Sequence, residues 1–91
     1  MSITVRIPPG FRALTKDRAE IAADGASLLQ LIADMEKKFP GVKAKLFDDS
    51  GRKRKFINIY VNSEDVRFLE GENTPLDDGD IVDIVSAIAG G

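Results

Sequence analysis

The chain has 91 residues, of which 43% are hydrophobic and 31% are charged, and its formal net charge is -2. This length suits one domain with a single modest core, and the composition is typical of a folded, mildly acidic protein, not of a disordered chain or a general nucleic-acid binder. The absence of cysteine and histidine excludes disulfides, thiol nucleophiles, imidazole bases and most transition-metal sites. No apolar run approaches the roughly 20 residues that span a bilayer, and no signal-peptide pattern opens the chain, so we expect a cytoplasmic protein with no membrane association.

The first segments predict a β-hairpin. Apolar and polar residues alternate over residues 2–7, which indicates a half-buried strand that ends at Pro8-Pro9-Gly10. A second strand is predicted from Arg18 to Ala22, with a turn at Asp24-Gly25. The two strands are expected to pair with each other.

A helix is predicted to begin at Ser27. Gln30 follows three residues later, as in a capping box, and Pro40-Gly41 ends the helical pattern. Apolar residues at helical spacing form one stripe, which we assign to the core: Leu28, Leu31, Ile32, Met35 and Phe39. A short further helix is predicted over Val42 to Phe47.

The next stretch, Asp48 to Lys55, is polar and predicts an exposed loop. Its run Arg52-Lys53-Arg54-Lys55 has the charge to contact phosphates, but no nucleic-acid motif accompanies it. We therefore favour a solvated or partner-docking loop and expect no nucleic-acid partner. Phe56 to Val61 is the strongest strand pattern in the chain, is closed by Asn62-Ser63, and is expected to lie centrally in the sheet.

The last third of the chain predicts two more strands. A short one is predicted over Val66 to Phe68, and Asp78-Gly79 forms a turn into a final strand over residues 81–85. This order of elements predicts a small α+β fold in which one main helix packs on a mixed sheet.

Charge is unevenly distributed along the chain. Residues 37–55 contain eight Lys or Arg and two Asp, whereas residues 56–91 contain one Arg and eight Asp or Glu. We expect an acidic surface beside the C-terminal end of the chain. Such a surface either steers docking onto a basic partner or keeps a small domain soluble, and both interpretations stand.

The sequence ends in Gly90-Gly91. Glycine has no side chain to obstruct a narrow channel, so a Gly-Gly end can enter a partner's active site, where the carboxylate of Gly91 would be activated with ATP. In this interpretation Gly90 gives clearance, and Ala87, Ile88 and Ala89 form the threading tail. The alternative is an end of small residues with no function of its own.

Several segments together resemble the ubiquitin-like sulfur carriers across essentially the whole chain. They include the strand ending in Asn62-Ser63, the segment Glu64-Asp65-Val66-Arg67-Phe68, the stretch from Thr74 to Asp80, and Ala87-Ile88-Ala89-Gly90-Gly91. That family contains the small subunit of molybdopterin synthase, the thiamine sulfur carrier and a carrier for bacterial cysteine biosynthesis, and the resemblance is greatest to the last. Two features differ: Lys16-Asp17-Arg18 stands where such carriers often have a glycine-rich turn, and Ser86 stands where a proline often precedes the tail.

The resemblance implies a β-grasp domain over residues 1–86, a flexible tail over residues 87–91, and a free monomer. It implies that an E1-like adenylyltransferase, using ATP and Mg²⁺, converts the Gly91 carboxylate to an acyl adenylate, which sulfur then converts to a thiocarboxylate. In the cysteine branch a synthase that carries pyridoxal phosphate receives the sulfur, and a metalloprotease releases the product. The chain itself binds no cofactor or metal under this hypothesis.

Other functions remain open from the sequence. The alternatives are a carrier that serves molybdopterin or thiamine synthesis, a protein modifier joined to lysines through Gly91, and a non-covalent binding module. An independent enzyme is disfavoured, because Glu64 and Asp65 are expected to be solvated at a strand end and no nucleophile accompanies them.

Overall fold

The fold is an α+β arrangement, described for residues 2–86 by a computed structural model. Two α-helices and three 3₁₀ turns connect five strands. The strands are β1 (Ser2–Arg6), β2 (Glu20–Asp24), β3 (Ile57–Val61), β4 (Glu64–Asp65) and β5 (Ile81–Ser86), and the helices are α1 (Leu28–Lys38) and α2 (Val42–Leu46). The 3₁₀ turns span Pro9–Phe11, Val66–Phe68 and Gly71–Asn73.

The strands form one mixed sheet in the order β2-β1-β5-β3-β4. β5 runs parallel to β1, with Thr4 opposite Ile81, and antiparallel to β3, with Ile57 opposite Ser86. The prediction that Phe56 to Val61 lies centrally is therefore wrong, because β5 occupies the centre. Alternating β-branched residues indicate only that one face of a strand is buried. This is equally true of a strand that lies one position from the centre of the sheet.

The β1–β2 hairpin is confirmed, but β2 begins two residues later than predicted. Ile21 and Ala23 face the core, whereas Ala19 is exposed. The preceding turn takes up the extra residues, and Lys16 and Asp17 adopt left-handed φ values of 56° and 62° there. These two residues thus adopt the conformation that glycine favours, in the turn that is often glycine-rich in the resembled family.

Helix α1 begins and packs as predicted. The Ser27 hydroxyl accepts a hydrogen bond from the Gln30 backbone N–H, while the Gln30 side chain accepts from the Ala26 N–H at 3.0 Å, one residue before the partner expected in a capping box. The predicted stripe is buried at Leu28, Leu31, Ile32 and Met35, with Phe39 partly buried beyond the last turn. It packs across one face of the sheet, onto Ile3, Val5, Ile59, Val82 and Ile84.

The predicted helix from Val42 to Phe47 is confirmed as α2, but the loop that follows is less exposed than predicted. Lys53 and Arg54 are half-buried, and a bridge pairs Lys53 with Phe47. The Lys53 ammonium donates to the Ile57 carbonyl, and Arg54 Nε donates to the Ala44 carbonyl at 3.1 Å. Two of the four basic residues therefore hold the loop in place, because each donates a charge-assisted hydrogen bond to a backbone carbonyl.

The predicted strand over Val66 to Phe68 is wrong, since those residues form a 3₁₀ turn. The strand β4 comes just before it and is joined to β3 by a tight turn in which Asn62 and Ser63 have φ values of 50° and 72°. The Asp65 carboxylate then accepts a hydrogen bond from the Arg67 backbone N–H, which starts the 3₁₀ turn. A side chain that bonds the backbone two residues on favours a turn over a strand.

Candidate functional site

The described part of the chain ends at the C-terminal end of β5. Ser86 pairs there with Ile57 of β3, so the last described residue lies in the middle of the sheet. The predicted site residues lie outside the described residues: Ala87, Ile88, Ala89, Gly90 and Gly91. The structure therefore describes the surface around the start of this segment.

A groove of about 360 Å³ opens beside Ser86, and we call it the tail-root groove. It is lined by Gly10, Phe11, Ala44, Lys45, Arg54, Phe56 and Ser86. The Phe11 ring is buried in the core, whereas the Phe56 side chain is 41% exposed. An exposed aromatic ring beside a concavity offers a partner apolar surface to bury.

The polar side chains of the tail-root groove include two cations. Lys45 Nζ lies 5.6 Å from the centre of the Phe11 ring, and Arg54 is anchored to the Ala44 carbonyl. Among residues 2–86, no carboxylate lines this groove. The expectation of an acidic surface beside the end of the chain is therefore wrong at this surface, because β5 carries the chain through the sheet and away from the acidic segments that precede it.

The acidic residues gather at the opposite end of β5. A second groove, of about 430 Å³, is lined there by Val61, Asn62, Glu64, Leu69, Glu70, Thr74, Pro75, Asp77 and Asp80, and we call it the acidic groove. Asp80 is part of its framework, since it accepts hydrogen bonds from the Asn62 side chain at 3.0 Å and from the Asp77 N–H at 2.8 Å. The side-chain oxygen of Asn62, Oδ1, in turn accepts a hydrogen bond from the Ile81 N–H at 3.0 Å.

The neighbouring carboxylates Glu64 and Asp65 differ from each other in environment. Glu64 is exposed, as predicted, but the Asp65 side chain is only 9% exposed. Its two oxygens accept hydrogen bonds from the Arg67 guanidinium at 2.8 to 3.2 Å, and these bonds, followed by the Arg67 backbone N–H, hold the pKa of Asp65 below its ordinary value. A carboxylate kept ionised by a fixed cation is a structural ion pair and is poorly suited to donate or remove protons near neutral pH.

The largest concavity lies on the helix side of the molecule and is lined in part by Glu36 and Asp48. The backbone N–H groups of Lys43 and Gly41 lower the pKa of Glu36, and the Ser50 hydroxyl is the main cause of the lowered pKa of Asp48. Both carboxylates are therefore engaged in holding the backbone. Within residues 2–86, no cluster of carboxylates is arranged to hold a metal ion, and no helix is both long and apolar enough to cross a membrane.

Sequence reasoning singled out the tail but missed the groove at its root. Phe11, Lys45 and Phe56 come from three separate elements and meet only in the folded chain. The one available signal was the basic run of residues 52–55, which was interpreted as a solvated or partner-docking loop and contributes Arg54.

The mixed sheet, with α1 across one face and the last strand at its centre, defines a ubiquitin-like β-grasp protein. The sequence profile of the ThiS family matches residues 5–91, and the chain belongs to that family.

Individual relatives agree with this assignment. The chain is 43% identical over 93 residues to the sulfur carrier protein CysO of Mycobacterium tuberculosis, with 100% of both chains covered. In the crystal structure of the Amycolatopsis orientalis BexX/CysO complex, a chain of 42% identity superposes with a TM-score of 0.90, covering 98% of this chain and 99% of that one. The small archaeal modifier protein 3 of Haloferax volcanii is 32% identical over 68 residues, which cover 75% of this chain and 73% of that protein. The chain is thus a homologue of small sulfur carrier proteins.

Proposed function

We propose that this protein carries sulfur as a thiocarboxylate on Gly91 and donates it to an acceptor enzyme. The 43% identity to a sulfur carrier along the whole of both chains is the observation that carries the proposal. The position of β5 supports it, because a central strand anchors the chain at Ser86 and residues 87–91 follow directly.

The chemistry requires activation, since a carboxylate is a poor electrophile. An E1-like adenylyltransferase, with ATP and Mg²⁺, forms an acyl adenylate at Gly91 and releases pyrophosphate. Sulfide then attacks the acyl carbon, AMP leaves with the bonding electrons, and the thiocarboxylate remains. A persulfide donor would first form an acyl disulfide, which a thiol then cleaves to the thiocarboxylate and a new disulfide. ATP and Mg²⁺ are bound by the partner, and this chain supplies the acyl group; a cytoplasmic setting goes with this chemistry because ATP is consumed.

The rest of the chain positions this group. Gly90 leaves room for a narrow channel, and Ala87, Ile88 and Ala89 are the segment that passes through it. The tail-root groove supports docking at the channel entrance, because it places the exposed Phe56 ring beside Lys45 and Arg54. We therefore propose that the surface of the adenylating partner around its channel is apolar and carries carboxylates.

For the acceptor we propose a cysteine synthase that holds an aminoacrylate on pyridoxal phosphate. The thiocarboxylate sulfur adds to the β-carbon of the aminoacrylate, and the acyl group then moves from sulfur to nitrogen, which leaves a cysteine in peptide linkage to Gly91. A metalloprotease hydrolyses that peptide bond and regenerates the carboxylate. Molybdopterin or thiamine synthesis would use the same charged Gly91 with a different acceptor.

The test is the intact mass of the purified chain after incubation with ATP, Mg²⁺, sulfide and the host's E1-like enzyme. We expect an increase of about 16 Da, the mass change when one carboxyl oxygen becomes sulfur. Gly90→Ala and a chain lacking Gly91 should show no increase, although both should unfold at the same urea concentration as the parent chain.

The opposite results would contradict the proposal. A normal mass increase in the chain lacking Gly91 means that Gly91 is not the acceptor of sulfur, and a normal increase in Gly90→Ala means that the reaction does not need the clearance assigned to Gly90. No increase in the parent chain, with the enzyme shown to be active on another carrier, leaves a non-covalent ubiquitin-like binding module as the better interpretation.

A second candidate function is covalent modification of proteins through Gly91, favoured by the similarity to a small archaeal modifier protein. It uses the same adenylation step but transfers the acyl group to a lysine. The two functions are separated by searching host extracts for lysine-linked adducts that depend on Gly91. Such adducts support the modifier, whereas thiocarboxylate without adducts supports the carrier.

A further inference from the structure

The acidic groove has no part in the chemistry proposed for Gly91, because it lies at the other end of β5. Val61 pairs with Val82 at the acidic end, and Ile57 pairs with Ser86 at the tail end. These pairs are four residues apart along the strand, or about 13 Å. A function for the acidic groove therefore has to be argued from its own residues.

The most exposed large apolar side chain among the described residues stands beside this groove. Phe68 is 83% exposed in the 3₁₀ turn after β4, and the next residue, Leu69, is 38% exposed and lines the groove. Two contacts hold the turn in place: Val66 is buried in the core, and Asp65 forms an ion pair with Arg67. The fold thus presents Phe68 on a fixed turn, which reduces the entropy lost when a partner covers it.

The surroundings of Phe68 are strongly negative. Residues 62–80 contain seven carboxylates and one cation, Arg67. Arg67 lies 5.7 Å from the Phe68 ring, but its charge is already paired with Asp65. The side-chain carboxylates of Glu64 and Glu70 have no hydrogen-bond or ion-pair partner within residues 2–86, and no basic side chain among those residues lines the acidic groove.

We infer that Phe68, Leu69 and the acidic groove form a docking surface for a partner protein that presents an apolar pocket rimmed by Lys and Arg. Exposed aromatic side chains are the usual anchors of such interfaces, and uncompensated carboxylates around the anchor select a basic rim. A second copy of this chain would have to bind through its tail-root groove, which carries Lys45 and Arg54, but that groove is already assigned to the adenylating partner, so we commit to a different protein. The surface is free while the tail is bound elsewhere, so one carrier molecule has two separate contact sites.

The first experiment identifies what covers this surface. A photo-crosslinking phenylalanine analogue is placed at position 68 of the full chain in its host cells, with Leu29 as the matched position, since Leu29 is 43% exposed on the helix side. We expect an adduct from position 68 that is absent from position 29, and a crosslink mapped to an apolar site flanked by Lys or Arg. No adduct beyond that from position 29, or an adduct between two copies of this chain, would overturn the inference.

The second experiment measures the dissociation constant of the crosslinked protein with purified chains. Phe68→Ser should weaken binding about tenfold or more, as is typical for an anchoring aromatic residue. E64K/E70K should weaken it by a similar factor at about 0.05 M salt and much less at about 0.5 M salt, because screening reduces charge interactions. Leu29→Ser is the control and should bind as the parent chain does; an unchanged constant for Phe68→Ser or for E64K/E70K would refute the docking surface.

Discussion

The two ends of β5 have opposite charge and are built in opposite ways. At the tail end, cations donate to backbone carbonyls, as Arg54 does to Ala44 and Arg12 does to Ile7 at 3.1 Å. At the other end, carboxylates accept from backbone N–H groups, as Asp78 does from Ser2 at 2.7 Å and Asp80 does from Asp77.

Strand direction decides which segments lie at each end. β1 and β5 run parallel, so both begin at the acidic end and both end at the tail end. At each end the charged side chains satisfy backbone groups of the neighbouring segments, N–H groups at the acidic end and carbonyls at the tail end. The small net charge of the chain therefore conceals two surfaces of opposite sign, and each suits a different kind of partner.

The largest expected effect is on the free energy of unfolding and concerns a glycine at the acidic end that lets two elements pack closely. At the acidic end, a Cβ at Gly25 would lie 2.4 Å from the Leu31 backbone nitrogen, so Gly25→Ala forces β2 and α1 apart. At Gly51, in the loop after α2, φ is +84° but nothing lies within 4 Å of an added Cβ. We expect Gly25→Ala to lower the free energy of unfolding by about 3 kcal/mol and Gly51→Ala by about 1 kcal/mol.

Urea unfolding followed by circular dichroism measures both values. Equal losses, or a larger loss at Gly51, would mean that the contact between Gly25 and α1 does not limit packing at the acidic end.

A smaller effect concerns the stability of the fold at acidic pH. The folded pKa of Asp65 lies below its unfolded value of about 3.9, so its ion pair with Arg67 stabilises the fold above that pH and the stabilisation is lost as pH falls through the folded pKa. Asp65→Asn should unfold at lower urea than the parent chain at pH 7, and the two midpoints should converge at the acid end of a series from about pH 7 to about pH 2. Glu64→Gln is the control, because within residues 2–86 the Glu64 carboxylate has no hydrogen-bond or ion-pair partner. A pH-independent gap between Asp65→Asn and the parent chain would contradict the ion pair's role.

The smallest effect concerns charge at the tail root. Lys45→Glu should lower kcat/KM for thiocarboxylate formation by about threefold to fivefold at low salt, because one reversed charge weakens steering onto an acidic partner surface. The difference should shrink as salt is added. Lys37→Glu makes the same charge change outside the tail-root groove and should have little effect. If the two variants behave alike, only net charge matters and the groove has no docking role.

Local patterns in the sequence predicted most elements of the fold. The caps of α1, its apolar stripe and the alternation in β1 and β5 each depend on residues within one element, so the sequence alone identified them. The sheet order was missed because nothing local distinguishes β5 from β3. Ala19 misled the placement of β2, since so small a side chain carries little signal of burial.

The candidate site was predicted only in part, because some of its features are local in sequence and others arise only in the folded chain. Gly90 and Gly91 are adjacent in sequence, and their interpretation needed no tertiary information; it stays a prediction, since they lie outside the described residues. The predicted sign of the charge was wrong for the surface beside Ser86, because charge was summed along the chain. In space, the residues nearest Ser86 come from α2 and from the loop that precedes β3.

The central position of β5 also affects how the protein is made. A chain is synthesised from its N-terminus, and β1 acquires its parallel neighbour only when residues 81–86 exist. Until then the β1–β2 hairpin and the β3–β4 hairpin have no strand between them to join them into one sheet. Pairing across some 77 residues is slow to form because the intervening loop must first be closed. The sheet is therefore completed only after residues 81–86 have been synthesised, so the domain cannot close before the segment directly preceding residues 87–91 exists.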